Sequence, residues 1–391
     1  MLAAQQTSNP ATSSLNYRFL FQIGHLLVIR RRHFLSAAAL GAIAPALSAC
    51  TSSASHEQTA RRLRRPGAVS IGDRTQLLHE LVRYATLAPS SHNTQCWRFH
   101  LQESLITIDA DLSRRCPVVD PDDHHMFVSL GCATENLVHA ALANGLQANA
   151  NFDAAGAGAV SVSLEATKAL VSPLFQAITE RQCTRGDYDG KPVSIEELSL
   201  LKKTGNGNGV RVVLLTERSA METVLEYVVS GNTLQMNDPA FIAELKTWIR
   251  FSDDEAVRAG DGLFSGSSGS PAMPRWLGSR MMGLFFTPKS ANERYARQVR
   301  NSAGIAVFVS DASDKAHWVE AGRCYERFAL QATALGIRNA VLNQPVEVGA
   351  IRPQFASALG LGSRRPDLVV RFGRGPMMPL SMRRPVQAVL V

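Results

Sequence analysis

The sequence predicts an α+β fold in which one helix-and-strand plan occurs twice. Hydrophobic spacing switches repeatedly between the helical and strand periods across residues 73–372, with Gly and Pro at the switches. Apolar residues make up 45% of the 391, enough for one large core or two joined ones.

Asp73 is placed to cap a helix whose Leu77, Leu78, Leu81, Val82 and Ala85 share one face, and Ala88-Pro89 ends it. Trp97 to Leu101 and Leu105 to Ile108 alternate as a strand pair. His125 to Asn144 reads as a second helix, with Gly145 where a left-handed cap belongs. The plan then recurs. A helix from Pro173 to Glu180 precedes strands at Val210 to Leu215 and Ile305 to Ser310, and a long helix from Asp314 to Leu335 closes at Gly336. Asn343 to Glu347, a helix to about Leu359 and a strand from Leu368 to Phe372 complete it.

Arg31-Arg32, an uncharged run from Ser36 to Ala49 and Leu47-Ser-Ala-Cys50 follow one another in the order of a twin-arginine export signal ending in a lipobox. Residues 1–49 are expected to be removed and Cys50 lipidated, anchoring the protein in the cell envelope or periplasm. That segment holds four arginines and no acidic residue, so cleavage lowers the net charge from +8 to +4. Such a surplus does not make a nucleic-acid-binding face. Residues 50–72 read as a linker whose Arg61-Arg-Leu-Arg-Arg65 is either solvated beside an anionic membrane or a phosphate-binding arm. Cys96, Cys116, Cys132, Cys183 and Cys324 remain, an odd number without a Cys-x-x-Cys, which argues against a zinc site or a regular disulfide framework. Adjacent helical residues such as His124 and His125 point about 100° apart, and no metal site is expected there.

Two segments carry the chemistry. Ala88-Pro-Ser-Ser-His-Asn-Thr-Gln-Cys-Trp97 gathers short hydrogen-bonding side chains suited to the polar edge of a flat heteroaromatic ring. Arg181-Gln-Cys-Thr-Arg185 offers two guanidinium forks that either grip phosphate or complement a helix end.

With Asp120-Pro121, Ser129-Leu-Gly131, Glu135-Asn136, Gly260-Asp-Gly-Leu263, Trp318, Gly322-Arg323, Asn343-Gln-Pro-Val-Glu347, Arg371-Phe-Gly-Arg-Gly375 and Ser381-Met-Arg-Arg-Pro385, these segments resemble the nitroreductase superfamily, and within it the Acg-like branch of flavin mononucleotide (FMN) binding proteins. The resemblance runs from about Asp73 to Val391. It departs from the family at Cys96, usually Pro, and at Cys183, usually Ser or Thr. A hydroxyl expected near the phosphate is therefore missing or supplied by Thr184.

The resemblance implies a nitroreductase-like fold with two homologous halves, residues 73–172 and 173–391, fused as an intramolecular pseudo-dimer that acts as a monomer. One FMN per chain is implied, because the first half lacks the paired arginines. By the same resemblance Arg181, Arg383 and Arg384 hold the FMN phosphate, with Cys183 beside them, and Arg185 lies nearer the pyrimidine side of the ring. Pro89, Ser90, Ser91 and Asn93 contact ring and ribityl chain, with simple turn roles as the alternative for Ser91 and Asn93. Pro345, Val346 and Glu347 form the turn facing the ring's reactive edge. Trp97 and Trp318 read as core. The Gly-, Ser-, Pro- and Met-rich stretch 252–292 reads as an irregular lid, with Trp276, Met281, Met282, Phe285 and Phe286 as its apolar underside, or as a self-packed surface insertion. The implied function is electron transfer through FMN to a nitroaromatic, quinone or similar acceptor. The alternative is flavin binding or sequestration without NAD(P)H-dependent turnover. No side chain is assigned as general acid or base.

Overall fold

The computed structural model describes residues 55–67 and 72–391. The expected export signal, with Arg31, Arg32 and Cys50, lies outside the described residues, as do residues 68–71 of the expected linker.

The described part of that linker includes a docked helix, so the expected solvated run holds for Arg61, Arg62 and Arg65 but not for Arg64. In α1 (residues 55–64), His56, Ala60 and Arg64 recur every fourth residue and are buried, while Arg61, Arg62 and Arg65 stay exposed. The His56 ring lies 4.2 Å from that of Phe264, and the Arg64 guanidinium donates to the carbonyl oxygens of Ala60 and Ser381 at 3.1 and 3.0 Å. Helix α2 (Arg74–Thr86) starts at Asp73, whose carboxylate accepts from the Gln76 amide at 2.9 Å.

Two four-stranded antiparallel sheets follow. β1 (Trp97–Gln102) and β2 (Leu105–Ala110) form a hairpin, α3 (His124–Ala143) crosses, and β3 (Leu146–Asp153) and β4 (Ala159–Ala166) complete the order β1-β2-β4-β3. After α4 (Pro173–Ala177) and α5 (Ile195–Thr204), β5 (Val210–Leu215) opens the second sheet. Five helices and one small strand pair then intervene: α6 (Arg218–Asn237), α7 (Pro239–Trp248), β6 (Ile249–Arg250), α8 (Asp253–Ala259), β7 (Leu263–Phe264), α9 (Arg275–Phe285) and α10 (Pro288–Arg300). β8 (Gly304–Ser310), α11 (Lys315–Ala334), β9 (Arg338–Val341), α12 (Gln344–Glu347), α13 (Arg352–Ala358) and β10 (Arg365–Gly373) finish the fold, in the order β5-β8-β10-β9.

Strand for strand the two sheets have the same topology, and in each the long helix follows the second strand. The expected α+β class and the repeated plan are what the structure has. The repeats differ where the tight turn between β1 and β2 is replaced by residues 216–303 between β5 and β8. That insertion is larger than the 252–292 stretch and mostly helical, which corrects the expectation of an irregular lid. Ser252 and Thr287 cap α8 and α10 through the amides of Glu255 and Ser290, helix-start signals set within Gly- and Ser-rich sequence.

The two sheets share one hydrophobic core containing Phe99, Phe127, Phe308, Phe328 and Phe372. Trp97 and Trp318 are buried in it, as expected. Helices α3 and α11 meet at its centre, where buried Glu135 accepts from Arg323 Nε at 3.0 Å and Arg327 Nη1 at 2.9 Å. Although α3 is long and apolar enough by composition to cross a membrane, it is a core helix here.

Candidate functional site

A cavity of about 640 Å³ lies between the first repeat's loop after α2 and the elements of the second repeat and its insertion. This is within the range of small-molecule sites. One wall is apolar: Phe241 and Leu245 of α7, Phe251, Met273, and Met281, Met282 and Phe286 at or beside α9. The cavity also has a polar lining. It is built from Ser90, Ser91 and His92, from His125 and Ser129 of α3, from Arg185, from Arg294 and Tyr295 of α10, and from Gln344 and Glu347 of α12.

The loop is backbone-strained. His92, Asn93 and Gln95 have φ of 49°, 54° and 53°, conformations that side chains other than Gly adopt at a cost. Long-range bonds hold it. Asn93 Nδ2 donates to the Gly262 carbonyl at 3.0 Å, Gln95 Nε2 donates to that of Gly260 at 2.9 Å, and Gln95 Oε1 accepts from the Arg384 amide at 2.8 Å. Asn93 and Gln95 are thereby turned into the protein, and Pro89, Ser90, Ser91 and His92 face the cavity.

Of the sequence-derived site residues, Pro89, Ser90, Ser91, Cys183, Arg185 and Glu347 come together on this cavity. Pro345 and Val346 lie buried in α12 between cavity-lining Gln344 and Glu347. Asn93, Arg181, Arg383 and Arg384 are not among its lining residues, and their side chains are engaged with the protein instead. Arg383 Nε donates to the Thr86 carbonyl at 2.7 Å, its Nη2 to those of Leu87 and Ala88 at 2.9 and 3.1 Å, and its Nη1 to Asn93 Oδ1 at 3.0 Å. Arg181 Nη2 donates to the Leu87 carbonyl at 2.8 Å, and its Nε lies 3.0 Å from Glu326 Oε1. Both guanidiniums thus satisfy carbonyls at the C-terminal end of α2, where a cation also complements the helix dipole. Arg384 bonds the carbonyls of Gln95 and Ala388. The Thr184 hydroxyl, offered as a substitute near the phosphate, is buried and meets Gln182 Oε1 at 3.1 Å.

The helix ahead of Arg181 is shorter than expected, because α4 ends at Ala177 rather than at Glu180. The chain then runs beside β9, with the Thr184 amide donating to the Asn339 carbonyl at 2.8 Å. Gln298 of α10 donates to the Arg185 carbonyl at 2.6 Å, fixing that residue at the cavity wall.

Burial, with the Arg185 charge adding to it, pushes the His92 imidazole down to about 4, so it is neutral at pH 7. His125 is held by two partners. Asn343 Oδ1 accepts from the Val369 amide at 3.0 Å, so its Nδ2 donates to His125 Nε2, also at 3.0 Å, while Asp120 Oδ1 lies 3.4 Å from His125 Nδ1. Burial disfavours the imidazolium, but Asp120 outweighs it and raises the pKa. Protonation at Nε2 would set two donors against each other at Asn343. His124, His125 and Asp120 have ligand-type atoms within 4.8 Å of one another, yet Asp120 accepts the amides of His125 and Met126 and His124 pairs with Asp367 at 2.9 Å.

Met281, Met282 and Phe286 line the cavity as expected of the insertion. Trp276 is 64% exposed and does not, while the Phe285 side chain lies outside the described ones. Sequence reasoning missed His92, His125, Ser129, Arg294, Tyr295 and Gln344. His92, Ser129 and Gln344 sit inside motifs already singled out, so their positions were available. Arg294 and Tyr295 carried no local signal, because their helix reaches the site only through the fold.

No protein-family model matches the chain. It is 23% identical over 329 residues to a Mycobacterium tuberculosis H37Rv protein named "Putative NAD(P)H nitroreductase Rv3131", covering 81% of this chain and 91% of that one. It is 22% identical over 336 residues to "Putative NAD(P)H nitroreductase acg" of the same organism, covering 81% and 95%. Among solved structures, a Desulfitobacterium hafniense nitroreductase with bound FMN aligns with TM-score 0.35 at 18% identity over 54% of this chain and 94% of that one. The FMN-dependent nitroreductase NfnB of Mycobacterium smegmatis in complex with NADPH aligns with TM-score 0.34 at 12% identity, over 52% and 87%. The likeness to the two mycobacterial proteins, spread over four-fifths of the chain, supports a place in the nitroreductase superfamily.

Proposed function

We propose that the chain binds one FMN in this cavity and works as an oxidoreductase toward a flat acceptor such as a nitroaromatic or quinone. The observation that carries the proposal is the unpaired Arg185 guanidinium facing a cavity walled by the strained loop 90–95 and an apolar sheet of Met and Phe side chains. A half-buried cation without an acidic partner fits an anionic ligand, and the apolar wall fits a planar ring. The names of the two mycobacterial relatives point the same way.

FMN, when bound, supplies the two-electron transfer. The protein's part is binding, orientation and exclusion of water. Ser90, Ser91 and the α12 turn from Gln344 to Glu347 offer hydrogen bonds, Pro89 and Cys183 offer contact surface, and Arg185 supplies positive charge. Met281, Met282 and Phe286 keep water from the apolar side. Arg181 and Arg383 act indirectly, by holding the end of α2 from which the loop departs.

The test is the flavin content of purified protein, expected at about one FMN per chain; colourless protein that takes up no added FMN would remove the proposal. The second reading, a flavin-sequestering protein, is favoured by the apolar wall that α9 and its neighbours contribute. Reduction by dithionite but not NADPH would select it, whereas NADPH oxidation with menadione or nitrofurazone turnover would select the enzyme.

Export by the twin-arginine route and lipid attachment at Cys50 form part of the same proposal, on the order of arginine pair, apolar run and lipobox. Replacing Arg31 and Arg32 by Lys should retain the precursor in the cytoplasm; normal export of that variant would refute the route. Monomeric mass in solution would match one chain carrying both repeats.

A further inference from the structure

The cavity carries a second cation that the flavin reading leaves unused. Arg294 lies on α10, and Ser290, Ala291, Arg294 and Tyr295 of that helix all line the cavity, so one face of α10 is part of its wall. The Arg294 guanidinium rests near the Phe286 and Tyr295 rings, 5.8 and 5.9 Å from their centroids. Among the described arginines that are buried or half-buried, Arg185 and Arg294 are the two whose guanidiniums have neither a hydrogen bond nor an ion pair within the protein. The only carboxylate among the cavity-lining residues is Glu347, and it accepts from Gln235 Nε2 at 2.7 Å. One turn beyond Arg294, Gln298 fixes the Arg185 backbone, so the same helix presents one guanidinium and positions the other.

We propose that Arg294 is a specificity-determining residue for a second ligand of this cavity, an aromatic compound bearing a carboxylate or comparable anionic group. The proposal rests on the reading of the cavity as a flavin site, in which Arg185 serves the flavin and Arg294 remains for the partner molecule. A half-buried guanidinium without a protein partner gains more from an anion than from a neutral amide of the same shape, because the charge-assisted bond replaces water only weakly held there. The adjacent Phe286 and Tyr295 rings supply stacking surface for the ligand's own ring.

The experiment compares 4-nitrobenzoate with its neutral isostere 4-nitrobenzamide. Binding of each to the full chain is measured by calorimetry, and FMN affinity separately by fluorescence titration, for the unchanged protein, Arg294→Gln and Arg294→Lys. Nitrobenzoate should bind about ten-fold more tightly than the amide. Arg294→Gln should abolish that preference, Arg294→Lys should retain part of it, and FMN affinity should stay the same in both. Absence of a preference in the unchanged protein would overturn the proposal. So would a preference that survives Arg294→Gln, or a loss of FMN affinity without a change in preference, which would assign Arg294 to the flavin phosphate. Protein that takes up no FMN but still discriminates the two probes through Arg294 would refute the flavin reading and leave the anion site standing. Matching near-ultraviolet circular dichroism of the variants guards against misfolding, and Arg294→Lys remains informative if Arg294→Gln does not fold.

Discussion

Gly131 of α3 and Gly322 of α11 occupy equivalent places in the two repeats, and each meets the other's helix backbone. A Cβ on Gly131 would lie 1.9 Å from the Val319 carbonyl oxygen, and a Cβ on Gly322 would lie 1.9 Å from that of Val128. Each of these carbonyls stands three residues before the opposite glycine. The two long helices therefore cross about a local pseudo-twofold with their backbones in contact, as subunit helices do at a symmetric dimer interface. Here the symmetry is internal to one chain.

Gly131→Ala or Gly322→Ala should each destabilise the protein by about 3 kcal/mol or more, at the upper end of overpacking costs, because the obstructing atom is backbone and cannot change rotamer. A shift in the urea midpoint checks this. Gly336, whose Cβ would meet nothing within 4 Å but whose φ is 69°, should cost less on the same substitution.

Glu135 should govern acid stability at the α3–α11 contact. Burial opposes its ionisation, but the His139 bond and the Arg327 and Arg323 charges outweigh it and hold its carboxyl down to about 2, against 4.5 for a free group. A depressed folded pKa contributes stability that is fully present above 4.5 and is lost as pH falls toward 2, roughly 3 kcal/mol in all. Glu135→Gln should flatten the fall in melting temperature across that window. An unchanged profile would exclude the mechanism.

Arg185 and Arg383 should separate into a ligand role and a frame role. Arg185→Ala is expected to weaken FMN binding by about ten- to a hundred-fold, the loss of one charge-assisted bond, with little change in melting temperature. Arg383→Ala leaves the carbonyls of Thr86 and Ala88 and the side chain of Asn93 without their donor, and the Leu87 carbonyl with Arg181 alone, and should cost about 3 to 5 kcal/mol of stability. Fluorescence titration and thermal melts on both variants decide it; the reverse pattern would restore Arg383 to the phosphate.

Helix α1 should clamp the base of the insertion. Ala60 packs with Ala256, Phe264, Leu380 and Met382 in a small cluster separate from the main core. Ala60→Asp buries an unpaired charge there and should speed hydrogen exchange in residues 55–67 and 253–270, while strands β8 and β10 stay protected. Uniform exchange across both regions in the variant and the parent would show that α1 holds nothing.

The sequence by itself determined what depends on neighbours a few residues away. Asp73 beside Gln76, the left-handed Gly145 and Gly336, and the alternation from Trp97 to Ile108 are local chemistry, and the structure has each of them where the sequence put it. The motifs also marked the cavity's position, because Pro89 to Ser91, Arg185 and Glu347 do converge on it. Tertiary structure alone decided which polar groups face that cavity and which are spent on the frame. Arg181 and Arg185 read alike in sequence, yet one closes the end of α2 and the other faces the cavity. Asn93 and His92 are adjacent, but the left-handed turn sends one toward Gly262 and the other to the wall. Arg294 and the burial of α1 were illegible for the same reason. A hydrogen bond or an apolar contact between residues hundreds of positions apart leaves no periodic trace in the chain, and only the packed fold brings its partners within reach.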